Sequence, residues 1–500
     1  MRRIKEYCGI FGIFNATNAA NHIYLGLHAL QHRGQESAGI VTSVYDEAKG
    51  KLVMPTHKGN GLVLDVFRKP SVFNSKLLGT SGIGHNRYST SGSSKNRANI
   101  QPFVVQYRDG NLAVAHNGNL SNARELRTSF IERGTLFQTT SDTELILHLI
   151  AQSTRRKQED KIIDALTQVE GAFSLVFLTD TSLIAVRDPN GFRPLALGAL
   201  KSAGPNGTTA YCIASETCAF DLVGAEYIRD VEPGEILIIN SDGCENGEFR
   251  SYHLARNHGI SQCIFEYVYF SRPDSKIFGE MVDKVRRKIG KELAHDAPPP
   301  PVDNNGSRPI VISVPDSSNT ATLGYVTECR KLGIDCRFEI GLIRNHYVGR
   351  TFISPGQDSR ESKVRSKFNS VSGVLRDRIV VMVDDSIVRG TTAKQLIRMV
   401  KKAGAREVHF RVASPPVISP CFYGMDFPSH EELFATRHGC DIEKMRDWLG
   451  ADSLAYLSIE GLIRAVKSAN ESDLGYCSAC FSGEYPVPVT MGVTKDENEW

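Results

Sequence analysis

Val380–Thr392 reads VVMVDDSIVRGTT. An apolar run from Ile379 to Val383 stops at two adjacent carboxylates, Asp384 and Asp385, and an Arg-Gly-Thr-Thr turn then leads into a helical pattern near Thr392. A near-continuous apolar strand is what a parallel sheet covered on both faces requires. The acids then fall in the crevice beyond the strand's carboxyl end, where open α/β sheets bind ligands. Backbone N–H groups of the turn, together with the helix N-terminus, make a cradle for a phosphate. Carboxylates beside such a cradle would repel the phosphate unless they address something else, and ribose hydroxyls or Mg²⁺ are the sensible targets. A lone Asp-Asp pair more often just ends a strand at a solvated turn; the strand, the Gly-Thr-Thr turn and the helix together favour a ligand site. No G-x-x-x-x-G-K-[ST] loop occurs, which argues against a P-loop nucleoside triphosphatase.

Outward from this stretch, residues 260–466 alternate strands with helices. RPIVISVPDSSNTATLGYVTECRKLGI, from Arg308, is a second strand, turn and helix unit, so a parallel α/β sheet is expected here. Residues 8–255 have another texture, with short β-rich segments punctuated by Gly, Asn and Ser, as in NLAVAHNGNLSN from Asn111. One helix is well signalled there: SDTELILHLI offers Ser141 as N-cap and Glu144 three residues on, a capping box. At 500 residues the chain is too long for one ordinary core. Two large domains are therefore expected, over 8–255 and 260–466, with residues 1–7 before the first and 467–500 after the second.

Lysine plus arginine (59) and aspartate plus glutamate (56) nearly cancel, which gives no reason to expect nucleic acid or an anionic membrane as partner. The apolar run near the N-terminus, Gly9–Phe14, is too short for a secretory h-region, and no later stretch approaches a membrane span. The expected location is cytoplasmic. Eleven cysteines in a reducing compartment then read as buried thiols, nucleophiles or metal ligands rather than disulfides. Cys477 and Cys480 form a CxxC, but no second CxxC completes a zinc ribbon and the spacing is not a ferredoxin run.

VVMVDDSIVRGTT resembles the fingerprint of phosphoribosyltransferases that use 5-phosphoribosyl 1-diphosphate. VPDSS (Val314–Ser318) resembles that family's loop near the diphosphate, and RNHYVGRTFISP (Arg344–Pro355) its lid. In the other half, CGIFGIF from Cys8, LQHRGQESAGI from Leu30, GHNRYST from Gly84, HNGNL from His116 and SDTE from Ser141 resemble the glutaminase domain of class II amidotransferases. In this order, from Cys8 to about Tyr485, the motifs are similar to the amidophosphoribosyltransferase family, in its form with a leader and an iron–sulfur cluster. The resemblance implies an N-terminal nucleophile αββα sandwich joined to a parallel-sheet phosphoribosyltransferase. It implies a glutamine-dependent enzyme making 5-phosphoribosylamine, glutamate and diphosphate, the first committed step of purine synthesis.

The resemblance also implies roles. Cys8 is the nucleophile, and its own α-amino group the base, so a cut between Tyr7 and Cys8 must remove MRRIKEY. Asn117 and the Gly118 backbone form the oxyanion hole, Arg87 binds the substrate α-carboxylate, and Asp142 its α-ammonium. Arg344 and Arg350 are available to diphosphate; Gly390, Thr391 and Thr392 hold the 5-phosphate. Ser317, Asp384 and Asp385 are associated with one Mg²⁺ per subunit, and the two acids also with the ribose. Cys263, Cys421, Cys477 and Cys480 would ligate one [4Fe–4S] cluster per subunit, with zinc the alternative that four thiolates also suit. Purine nucleotide feedback and a homodimer or homotetramer are expected from the same source. Two rivals stand beside this reading. A glutamine-dependent asparagine or sugar-amine synthase would share the N-terminal motifs but not DDSIVRGTT. A non-catalytic sensor of 5-phosphoribosyl 1-diphosphate would have no need of Cys8, Arg87, Asn117 and Asp142.

Overall fold

The computed structural model describes residues 8–87, 97–255, 259–302, 306–345, 367–425, 427, 429–467 and 475–489. The leader 1–7, most of the expected lid and Arg350 lie outside the described residues.

The N-terminal half is two antiparallel sheets laid face to face. One carries, in spatial order, Glu226–Asp230, Ala196–Leu200, Ala210–Ala214, Gly9–Phe14, Ser81–Arg87 and Ser37–Asp46, the last pairing with both Lys51–Val53 and Thr56–Asn60. The other runs Arg250–His253, Glu235–Asn240, Ser182–Arg187, Gly171–Thr179, Gly110–Leu120 and Phe103–Tyr107. Ile10, Ile83, Ala113, Ala115, Val176 and Leu183 fill the space between them. Alternate residues point outward: Phe11 and Ile13 pack under the Ala19–Ala29 helix, and Leu175 and Phe177 under Thr143–Gln152 and Gln158–Leu166. The strand period of two thus builds a helix, sheet, sheet, helix sandwich.

In the C-terminal half, Arg337–Phe338, Ile310–Ser313, Ile379–Asp384, Glu407–Val412 and Ser453–Tyr456 form one parallel sheet in that order. Its central strand explains the apolar run. Val381 and Val383 join the core under helices Val282–Asp296 and Asn319–Lys331, while Val380 and Met382 join the core under Thr391–Lys402 and Ile442–Leu449. From Ile310–Ser313 the chain crosses first to Arg337–Phe338 on one side and later to Ile379–Asp384 on the other. The carboxyl ends of Ile310–Ser313 and Ile379–Asp384 therefore flank the topological switch point, the position where such sheets bind ligands.

The capping box at Ser141 is corrected. The helix begins at Thr143 with Asp142 preceding it, and the Glu144 carboxylate turns away from Ser141 to accept from the Gln138 and Thr139 amides, each at 2.8 Å. Two upstream amides and the Thr139 hydroxyl offer it more hydrogen bonds than one N-cap amide could.

Candidate active sites

Cys8 directly precedes Gly9–Phe14 and is buried. Gly9 pairs with Asn86 in the antiparallel ladder, so the same register sets Cys8 level with Arg87, which is 4% exposed. The second sheet is joined to this point by His85, whose Nε2 meets the His116 carbonyl oxygen at 3.0 Å. Burial pushes the His85 imidazole down to about 3. It is neutral, and Nε2 carries the proton that the carbonyl accepts.

Next in the strand is Asn117. It is fully buried, and among the described residues neither its Nδ2 nor its Oδ1 has a hydrogen-bond partner. Buried amides are nearly always satisfied, so such a group points to a missing partner. Gly118 follows at φ +152, and a Cβ there would lie 2.0 Å from the Ala172 carbonyl oxygen, which excludes any side chain. Asp142 accepts from the Leu120 amide at 3.0 Å, and His116 Nδ1 lies 3.5 Å from its other oxygen. Burial raises this carboxyl, but His116 and the Leu120 and Thr143 amides outweigh it and hold it below the ordinary value. The structure thus brings Cys8, Arg87, Asn117, Gly118 and Asp142 to one end of the sandwich: a thiol, an unpaired amide, a cation and an anion.

The second site stands at the switch point. Asp384 and Asp385 are both buried. The Ser317 hydroxyl donates to Asp385 Oδ2, Ser318 Oγ donates to Asp384 Oδ1 at 3.1 Å, and Ser386 Oγ to Asp385 Oδ1 at 2.8 Å. Burial, and for Asp384 the neighbouring Asp385 charge, push both carboxyls up. Two crowded acids with hydroxyls beside them are a donor set suited to Mg²⁺, which takes one or two carboxylates and leaves its other positions to water and substrate phosphate. Gly390, at φ +73, begins the Thr391–Lys402 helix, and a Cβ there would meet the Phe434 ring at 2.6 Å. Arg344 is placed against the VPDSS loop, its Nη1 2.9 Å from Asp316 Oδ2.

A cavity of about 220 Å³ lies between the halves, bounded by His32 on one side and by Asp316, Ser317, Arg286 and Arg344 on the other.

The four candidate cluster cysteines come from three stretches of chain, Cys477 and Cys480 sharing one. Cys263 and Cys477 are partners in a short parallel ladder. The Cys480 carbonyl accepts from Ile418 and Ser419, just before Cys421. Cys480 is close enough to feel the other three, which add to burial in pushing its thiol up; burial takes Cys263 up to about 11. Four neighbouring thiols are a chemically suitable set for a cluster or zinc. Among the described residues, however, no three His, Cys, Asp or Glu side chains are already arranged around a metal position.

Sequence reading missed the buried charges between the halves: Arg33, Arg193, Glu216 and Glu266 are all 0% exposed. Arg33 lies within LQHRGQESAGI, a stretch that gives no sign in the sequence that its charge is buried.

A two-sheet N-terminal sandwich joined to a parallel sheet with paired acids at its switch point is the fold of a glutamine amidotransferase joined to a phosphoribosyltransferase. A glutamine amidotransferase domain model matches residues 85–221. Amidophosphoribosyltransferase from Bacillus subtilis is 45% identical over 98% of this chain and 96% of its own length. The chloroplastic amidophosphoribosyltransferase 2 of Arabidopsis thaliana is 47% identical over 98% of this chain and 81% of its own. The solved glutamine phosphoribosylpyrophosphate amidotransferase of B. subtilis, in complex with ADP and GMP, superposes with a TM-score of 0.85 at 44% identity, covering 98% of this chain and 100% of that one. The chain belongs to the amidophosphoribosyltransferase family. No helix among the described residues is long and apolar enough to cross a membrane.

Proposed function

We propose that this chain transfers the amide nitrogen of glutamine to C1 of 5-phosphoribosyl 1-diphosphate, giving 5-phosphoribosylamine, glutamate and diphosphate, the first step of purine synthesis. The observation that carries this is the pairing of two sites across one junction: an unpartnered Asn117 amide by Cys8, and the Ser317–Asp385 cluster by a phosphate turn. Residues 8–255 are the glutaminase and 260–466 the phosphoribosyltransferase.

Cys8 Sγ attacks the glutamine carboxamide carbon; ammonia leaves and water then cleaves the thioester. The free α-amine left by cleavage after Tyr7 takes the thiol proton, its ordinary pKa of about 7.7–8.0 suiting the task. Asn117 Nδ2 and the Gly118 N–H donate to the oxygen that becomes anionic. Arg87 forks onto the α-carboxylate and Asp142 receives the α-ammonium. Ammonia crosses the junction and bonds to C1 as the C1–O bond to diphosphate breaks. Gly390, Thr391 and Thr392 hold the 5-phosphate, the acids accept from the ribose hydroxyls, and Arg344 and Arg350 receive diphosphate. Ser317, Asp384 and Asp385 would hold Mg²⁺, which offsets the charge of the leaving group. Cys263, Cys421, Cys477 and Cys480 would hold a [4Fe–4S] cluster as a structural tie. Purine nucleotides as feedback ligands are supported by the ADP and GMP bound to the B. subtilis relative.

The test is diphosphate release from anaerobically purified protein with Mg²⁺ and 5-phosphoribosyl 1-diphosphate, against Cys8→Ala. The variant should lose the glutamine reaction and keep the ammonium one. Binding of both substrates with no diphosphate from either donor, in protein with its leader removed and metal loaded, would favour the sensor.

A further inference from the structure

We propose that Arg33 and Glu266 are positioning residues that set the Cys8 strand against the diphosphate loop, with Ser271 and Arg286 carrying the link to Ser317. The inference rests on the two-site reading above. Arg33 is buried beside the nucleophile: a Cβ added at Gly9, the residue after Cys8, would lie 3.3 Å from the Arg33 Cβ. Its guanidinium leaves the glutaminase half. Nη2 donates to Glu266 Oε2 at 2.6 Å and to Ser271 Oγ at 3.1 Å, while Nε donates to Glu216 within its own half. Cζ stands 4.6 Å above the Phe270 ring.

The path continues through backbone. Ser271 Oγ donates to Glu266 Oε2 at 2.6 Å, and the Ser271 carbonyl accepts from Arg286 Nη2 at 2.8 Å. Arg286 Nε donates to the Tyr267 carbonyl at 2.8 Å, and its Nη1 lies 3.4 Å from the Ser317 carbonyl. Ser317 is the residue whose hydroxyl meets Asp385. One chain of directed hydrogen bonds therefore runs from beside Cys8 to the second site, along the wall of the 220 Å³ cavity, which Ser271, Arg286 and Ser317 line.

Why charge rather than oil? An apolar junction would hold the halves together without fixing their register. A guanidinium forked between two carboxylates, with Arg193 Nη1 on Glu266 Oε1 at 3.1 Å, tolerates one geometry. Two cations and two anions cancel, so the lattice is satisfied only when both halves are correctly placed. A displacement of the VPDSS loop on ligand binding has a rigid route to the nucleophile strand.

The test uses the full-length enzyme with Glu266→Gln and, as the milder change, Ser271→Ala. Four quantities are read: the ammonium-dependent rate, glutamate formed per diphosphate released, stimulation of glutamine hydrolysis by 5-phosphoribosyl 1-diphosphate, and the melting temperature. We expect the ammonium rate to persist, glutamate to exceed diphosphate, and the stimulation to fall about tenfold. If both variants keep equal amounts of glutamate and diphosphate and unaltered stimulation, whatever their melting temperatures, the lattice is only structural and the proposal is wrong. Should Glu266→Gln not yield soluble protein, Ser271→Ala decides alone. Failure of the two-site reading looks different: the unmodified enzyme then releases no diphosphate with either donor, and both ideas fall.

Discussion

Asn119 Nδ2 donates to the Phe422 carbonyl oxygen at 2.8 Å, across 303 residues of chain. Asn119 is two residues beyond the Asn117 amide, and Phe422 is next to Cys421. The neighbouring Tyr423 carbonyl accepts from Arg193 Nη2, also at 2.8 Å. The segment that carries Cys421 is thus tied to the strand that carries Asn117. Asn119→Ala removes one such bond, worth about 1 kcal/mol. It should lower the glutamine-dependent kcat several-fold, leave the ammonium-dependent kcat alone and keep bound iron. Cys421→Ser should lower the same rate and also lose iron. Equal losses with both nitrogen donors would show that the tie does not reach the glutaminase site.

Asn117→Ala separates activity from stability. The side chain makes no hydrogen bond among the described residues, so its removal takes away a buried, unsatisfied amide. We expect a melting temperature that is unchanged or raised. The glutamine-dependent kcat should fall by about 10²–10³ with loss of the oxyanion donor, and the ammonium reaction should persist. A fall in melting temperature with little kinetic effect would mark Asn117 as structural.

What the sequence disclosed and what it hid divide along chain distance. The Ile379–Asp384 strand and the turn into Thr391–Lys402 were readable because thirteen consecutive residues hold the strand, the acids, the glycine and the helix start. Arg87, Asn117 and Asp142 were named from short motifs, and the fold sets them around the Cys8 strand end. The Arg33 lattice was not readable. Its partners lie 183 and 233 residues away, and a charge in a sequence is read as solvated unless a partner is in view. Glu144 failed for a local reason, since nothing in the pattern showed that the 138–139 loop would fold back over its carboxylate.

Glu144 gives a pH prediction. Burial raises its carboxyl, but His148, the Gln138 and Thr139 amides and the Thr139 hydroxyl bring it down to about 2, from an ordinary 4.5. A folded-state value below the unfolded one gives stability that is present above pH 4.5 and lost as pH falls towards 2. Screening at the partly exposed His148 partner discounts the full shift, leaving about 1–2 kcal/mol. Urea titrations of Glu144→Gln should show that loss at neutral pH and a flatter dependence of stability on pH below 4.5. Parallel curves for variant and unmodified protein would remove this role.

Gly390→Ala tests the phosphate turn. The residue sits at φ +73, where an alanine costs roughly 1–2 kcal/mol, and its Cβ would press on the Phe434 ring, 2.6 Å away. Phe434 is fully buried and its amide donates to the Val388 carbonyl at 2.8 Å, so the ring has little room and the turn must move instead. Displaced N–H groups bind the 5-phosphate less well in ground and transition states alike. The expected signature is a KM for 5-phosphoribosyl 1-diphosphate raised about tenfold with either donor and a kcat little changed. Adding Phe434→Leu relieves the contact but not the positive φ, so it should recover only part of the KM. A kcat loss confined to glutamine would mean that the turn acts through the glutaminase half. An unchanged KM would show that the 5-phosphate is held elsewhere.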